Sequence, residues 1–301
     1  MITLQQAIGS IPAGIKLLET IVEDEASALE GLAYKELFAG LARFSFPLLE
    51  LLPPTWVGAP RNLLIDLGES SSWPGVLDQG TLGSCVDNSV STCLSVVETK
   101  EQGVSAGNFQ ASRLFLYGNA REWTSEDSGS TLGASAKGAR IWGVPPESAW
   151  PYDIALFATR PPPPVWTQAA QRKLTQSYWT LSLVSIIHSL QAGYPVSFCT
   201  VLYESFGDMN DAQGWIMPKP KPGEKVVGGH CMTVRGIDLK RKLALVQNSW
   251  GASWGAGSQG IVHADGSPGP ALKGCFWMPL DILCSPTLCN SWRTFRKVAN
   301  T

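Results

Sequence analysis

The chain has 301 residues, 44% of them hydrophobic and 16% charged. That composition excludes a disordered chain and leaves length for one or two domains with a full core. With 23 Lys and Arg against 25 Asp and Glu the net charge is −2, so the basic excess of a nucleic-acid binder held by phosphate contacts is missing.

No segment offers the ~20 apolar residues of a membrane span; the best, 37–52, contains Arg43, Pro47 and Glu50. Met1–Gln6 lacks the basic start and unbroken apolar run of a signal peptide. The seven cysteines, 85, 93, 199, 231, 275, 284 and 289, are odd in number and show no metal-type spacing. A reducing, cytoplasmic-type compartment is therefore expected, with Cys284 and Cys289 as a free pair rather than a bridge. The 30 glycines, 21 prolines and 12 tryptophans suggest a loop-rich, rigidly packed fold rather than a helical bundle.

Residues 1–60 read as a helical extension followed by a linker. Leu17, Leu18, Ile21, Leu29, Leu32, Leu37 and Leu41 recur at helical spacings, and Pro47, Pro53, Pro54 and Pro60 then break the chain. Residues 61–301 form the second unit. Val86, Val90, Cys93, Leu94 and Val97 predict a helix over 85–101, placed just after Gly80 and Gly83. Helices are also predicted over 112–123, 132–142 and 182–192, the last stopped by Gly193 and Pro195. The run Pro161–Pro164 reads as an extended connector. Strands follow at 196–201, 232–237 and 243–247. Helices first and strands later indicate an α+β architecture of two packed halves, with a site in the cleft between them.

Of three histidines, His188 falls in a predicted helix and His263 in a Gly/Asp/Ser-rich loop; both read as structural or exposed. His230 follows Gly228 and Gly229 and opens the apolar run Cys231-Met232-Thr233-Val234, so a ligand could approach it closely. Cys85 would occupy the first turn of its helix, where the dipole lowers a thiol pKa and free N–H groups can hold an oxyanion. Asn248 ends an apolar strand just before Trp250 and Trp254. Alone, each has an ordinary structural explanation.

Together they form an ordered set. It comprises Asp78-Gln79-Gly80…Gly83-Ser84-Cys85, Gly228-Gly229-His230 and Asn248-Ser249-Trp250-Gly251-Ala252-Ser253-Trp254-Gly255. His230 lies 145 residues and Asn248 163 residues after Cys85, close to the known spacing of papain-like enzymes. The chain resembles the papain-like cysteine peptidases, over roughly 62–283. Stretches 112–117, 146–152, 193–196 and 276–279 resemble the bacterial-type branch. The resemblance implies an α+β, two-lobed fold: a helical lobe around Cys85 and a β-barrel-like lobe carrying His230 and Asn248. It implies a cysteine endopeptidase without cofactor or metal, acting on a peptide or protein substrate bound as an added strand. Cys85 would be the nucleophile, paired with His230 as thiolate and imidazolium. Asn248 would hold the imidazole. Gln79 and the Cys85 N–H would bind the oxyanion. Trp250 would shield the His230–Asn248 bond, and Gly129, Ser130 and Gly229 would line the substrate path.

The pattern also departs from the family. Val86 replaces the usual aromatic after the cysteine, and Asp87 follows; at that spacing its carboxyl should point away from Cys85. Leu82 stands where secreted members carry a disulfide cysteine, and Cys231 puts a second thiol beside the histidine. Residues 257–273 read as an inserted hairpin. Residues 1–60 stand where zymogens of the family carry a propeptide, so they would act as an intramolecular inhibitor or as a helical extension packed on the domain. The rival readings are a catalytically silent papain-like binder, or an amidase or transpeptidase of the superfamily.

Overall fold

The computed structural model describes residues 63–70, 73–102, 109–180, 182–255 and 271–300. The extension 1–60, His263 and nearly all of the inserted segment lie outside the described residues.

The element order is β1 (Leu64–Asp66), α1 (Cys85–Gln102), α2 (Arg113–Ala120), α3 (Leu132–Trp142), α4 (Pro163–Ala170), β2 (Arg172–Trp179), α5 (Leu183–Gln191), β3 (Val196–Tyr203), β4 (Val226–Asp238), β5 (Leu243–Gln247), β6 (Cys275–Pro279), α6 (Leu280–Leu283) and β7 (Cys289–Asn300). As the sequence predicts, α1 to α4 precede most of the sheet, whereas β1 comes before them and α5 and α6 lie between strands. The seven strands form one antiparallel sheet in the order β2-β7-β3-β4-β5-β6, with β1 added to the far end of β4.

The helix limits follow from side-chain caps. Ser112 accepts from the Phe115 N–H and Thr131 from the Ala134 N–H, each satisfying a donor the first turn leaves open. Ser182 and Ser185 cap α5 reciprocally. Gly143 ends α3 at φ +80°, and a Cβ there would lie 1.8 Å from the Ala169 carbonyl oxygen, so only glycine fits. The proline run is not an extended connector throughout. Pro163 and Pro164 open α4, because the first helical positions need no N–H donor.

The sheet carries a core on each face. On one, α5 packs Leu183, Ile186, Ile187 and Leu190 against Val196, Phe198, Met232 and Val234. On the other, α1 packs Val86, Val90, Cys93, Leu94 and Val97 against α3, Phe295 and Val298. α1 is buried on nearly every side, including Ser89, Ser91, Thr92 and Ser95, so its hydroxyls need partners. Ser89 Oγ meets Ser197 Oγ at 2.5 Å, Thr233 Oγ1 at 2.7 Å and the Met232 carbonyl at 2.9 Å. This polar seam fixes α1 against β3 and β4.

Candidate active site

Cys85 is the first residue of α1, as predicted. The turn before it is tied across to the segment after β5. Asp78 and Trp250 form an antiparallel bridge, the Gln79 N–H donates to the Ser249 carbonyl at 2.8 Å, and the Gly251 N–H donates to the Leu77 carbonyl at 3.0 Å. These backbone bonds bring Gln79 beside Asn248-Ser249-Trp250. Ser249 Oγ donates to Gln79 Oε1 at 2.7 Å, and Gln79 Nε2 donates to the Leu82 carbonyl at 3.0 Å. The amide is thereby oriented with one Nε2 hydrogen engaged and the second left for another acceptor.

His230 lies on β4, 6% exposed, with Nε2 2.7 Å from Asn248 Oδ1. The Ser249 N–H also donates to that Oδ1, at 2.8 Å. An atom accepting from a backbone N–H is the carbonyl oxygen, so Nε2 carries the proton and Nδ1 holds the lone pair. The Trp250 ring lies 4.9 Å from the imidazole, tilted by 31°. Trp254 and Phe206 support it at 5.4 Å and 5.7 Å. The Trp250 ring therefore lies over the imidazole.

Gly229 is exposed on β4, and a Cβ there would meet nothing within 4 Å. Gly129, at φ +75°, would place a Cβ 3.7 Å from the Gly83 carbonyl oxygen, beside the α1 entrance. The Gly83 N–H donates to both Asp127 carboxylate oxygens, at 3.1 and 3.0 Å. Ser130 Oγ donates to Asp87 Oδ2 at 2.6 Å and Ser135 Oγ to Oδ1 at 2.7 Å. Asp87 is thus committed to the 130–135 segment, and burial pushes its carboxyl up to about 7 against the pull of these two hydroxyls. Below neutral pH its proton removes a charge that would oppose a thiolate.

The electrostatics differ from the sequence expectation in one respect. Burial pushes the Cys85 thiol up to about 11, outweighing the backbone N–H of Cys231 that pulls it down. Burial also holds His230 down at about 4, against the bond to Asn248. Taken singly, both groups favour their neutral forms. Desolvation of the sulfur outweighs the backbone N–H groups of Cys231 and Val86 that would favour a thiolate.

The residues the sequence reading missed as site elements are Arg113, Glu147 and Tyr152. Arg113 Nη1 donates to the Asp78 carbonyl at 2.8 Å and to Asn88 Oδ1 at 3.1 Å, while Glu147 accepts from Arg113 Nε and Nη2. The guanidinium stacks on Tyr152 at 3.9 Å, and the Tyr152 hydroxyl donates to the Gln79 carbonyl at 2.9 Å. The three hold the Gln79 turn. They fall inside stretches 112–117 and 146–152, whose resemblance was visible but whose contacts were not.

No family profile matches the chain. It is 29% identical over 237 residues to an uncharacterized peptidase C1-like protein of Acanthamoeba polyphaga mimivirus, covering 74% of this chain and 70% of that one. Its structure is similar to that of xylellain, a cysteine protease from Xylella fastidiosa. There the TM-score is 0.65 at 23% identity, over 80% of this chain and 88% of the other. Procathepsin B from Trypanosoma congolense follows the same path with a TM-score of 0.55 at 14% identity, over 79% and 77% of the two chains. By sequence the chain is similar to a peptidase C1-like protein, and its fold is that of the papain-like cysteine proteases. The papain-like path joins a helical half built on α1 to the sheet that carries His230. Among the described residues, no helix is long and apolar enough to cross a membrane. Among the same residues, no group of three or more His, Cys, Asp or Glu is placed to hold a metal ion.

Proposed function

We propose that this papain-like chain is an endopeptidase that cleaves peptide bonds through an acyl-enzyme on Cys85. The observation that carries the reading is the run of hydrogen bonds His230–Asn248–Ser249–Gln79 beside the turn that leads into Cys85 at a helix N-terminus. It leaves the imidazole Nδ1 as a base and the Gln79 amide with one N–H to donate.

The resting thiol and imidazole are neutral, so the reaction begins with a proton moving from Cys85 to His230 Nδ1 as the sulfur reaches the substrate carbonyl. Each new charge then offsets the other's desolvation. Negative charge on the carbonyl oxygen falls between the Cys85 N–H and Gln79 Nε2. The imidazolium, held through Nε2 by Asn248, gives its proton to the leaving amine, and water attacks the remaining thioester with His230 as base. Gly129 and Ser130 on one side and Gly229 on the other border the substrate path.

The test uses the full chain. A thiol-directed epoxide should add to Cys85, located by mass, and an unfolded protein should be cut while peptidoglycan is left intact. An unreactive Cys85 would favour the silent binder, and cleavage of peptidoglycan alone would favour the amidase. For Gln79→Ala, kcat should fall about 10–1000-fold with KM little changed, because the amide acts mainly in the transition state. An unchanged kcat would leave Gln79 only its bonds to Leu82 and Ser249.

Residues 1–60 are proposed to inhibit the same site. A tethered blocker has an effective concentration in the ~mM range, so weak contacts suffice. A chain starting at Arg61 should hydrolyse peptides faster than the full chain, and added 1–60 peptide should slow it. Equal rates with a much lower thermal midpoint would instead assign the extension a packing role.

A further inference from the structure

The proposed mechanism uses one thiol, but three meet beside the site. His230 and Cys231 are neighbours on β4, so their side chains leave opposite faces of the strand. His230 lies under Trp250, whereas Cys231 belongs to the α1 core, against which Cys85 and Cys199 also pack. Cys231 stands directly opposite Cys199 in the β3–β4 ladder. Its backbone N–H hydrogen-bonds the Cys85 sulfur, and its own thiol interacts with Cys199 and with Ser89. Ser89 is one helical turn after Cys85. Cys85 is partly exposed, whereas Cys231 is 1% exposed. A solvent-borne oxidant therefore reaches Cys85 and not Cys231.

We propose that Cys231 is a resolving thiol: when a peroxide oxidises Cys85, Cys231 closes a disulfide with it and stops the oxidation there. In the first step the Cys85 sulfur attacks one peroxide oxygen and the O–O bond breaks, giving Cys85–SOH and one water. In the second, the Cys231 sulfur attacks the Cys85 sulfur and the S–O bond breaks. The oxygen leaves as a second water, carrying the Cys231 proton. Two thiols lose two electrons in total, and one peroxide gains them. Without a partner the sulfenic acid proceeds to the irreversible sulfinic acid. A thiol on the residue whose N–H already bonds the Cys85 sulfur competes at high effective concentration and so intercepts it. A small thiol reductant then restores both sulfurs by exchange.

The inference rests on Cys85 being the reactive thiol of the proposed mechanism, and the experiment separates the two. The untreated full chain is first labelled with the epoxide; failure there counts against the peptidase reading itself. The full chain is then treated with hydrogen peroxide, its remaining thiols are blocked, and it is digested without reduction. Peptide masses should show a Cys85–Cys231 bridge that dithiothreitol reverses. In Cys231→Ala, and in Cys231→Ser as a second variant, Cys85 should instead gain two oxygens irreversibly. The expected excess over wild type is at least roughly tenfold, modest beside the advantage of an intramolecular partner. An epoxide-reactive Cys85 that reaches the sulfinic acid as readily in wild type as in both variants would overturn the proposal. So would a bridge that excludes Cys85.

Discussion

Cys85→Ala is expected to abolish peptide hydrolysis while leaving the fold in place. Losing a nucleophile that acts as a unit with its base costs roughly 10⁵-fold or more in kcat, leaving only oxyanion binding and positioning. The structural loss is small. Cys85 is partly exposed at the start of α1, so its truncation removes only its edge contact with the core and the Cys231 N–H bond to its sulfur. Cys93→Ala is the control. Cys93 lies two turns further along α1, fully buried, with its sulfur 3.7 Å from Ser197 Oγ. Removing it should cost about 1–2 kcal/mol of stability and leave kcat nearly unchanged. The pair is read by initial rates on one peptide and by thermal midpoints. A dead Cys93 variant beside an active Cys85 variant would move the chemistry elsewhere.

In the proposed mechanism the proton moves as the sulfur attacks, so Asn248 and Gln79 act at the same moment. Their bonds to the Ser249 backbone and side chain mean that one residue steadies both groups.

What the sequence disclosed was local or motif-borne. The limits of α3 and β5 match the prediction because an apolar period and clean end signals coincide there. Cys85, His230, Asn248 and Gln79 stand out in the sequence as candidates through their neighbours. β2 and β7 were missed, and the reason lies in the strand patterns. Their pairing slips at Leu174/Gln176 and again at Gln176/Ser177, so neither strand keeps the period-two alternation a reader looks for. In β7 the buried apolar side chains are Cys289, Trp292, Phe295 and Val298, three apart. β4 begins earlier than predicted because its first residues are exposed valines and glycines. Contacts between distant segments, such as Arg113 on the Gln79 turn, leave no trace in spacing.

The same is true of Asp66 and Arg235, and here the largest stability effect is expected. Arg235 Nε donates to Asp66 Oδ1 and Nη2 to Oδ2, each at 2.7 Å, and Nη1 donates to Cys275 Sγ at 3.4 Å. The side chains are 9% and 1% exposed. Asp66 Oδ1 also accepts from the Gly68 N–H at 2.8 Å. The ion pair joins β1 to β4, and a Cβ on Gly236 would fall 2.3 Å from the Ile65 carbonyl oxygen, so the two strands are in close contact. Asp66→Ala removes the anion and strands a guanidinium in a site that water does not reach. Breaking one side of such a pair costs about 3–5 kcal/mol, most of it the desolvation of the charge left behind. Replacing both partners by apolar side chains, Asp66→Leu with Arg235→Met, should recover most of that loss, because no buried charge remains. Denaturant midpoints of the two singles and the double give the coupling directly. Below the midpoint, kcat of Asp66→Ala should stay near wild type, since His230 lies five residues from Arg235 along β4 and is held by Asn248. If Asp66→Ala cost less than about 1 kcal/mol, the value of an exposed pair, the β1–β4 junction would have to admit water, and its place as a buried clamp on the His230 strand would be lost.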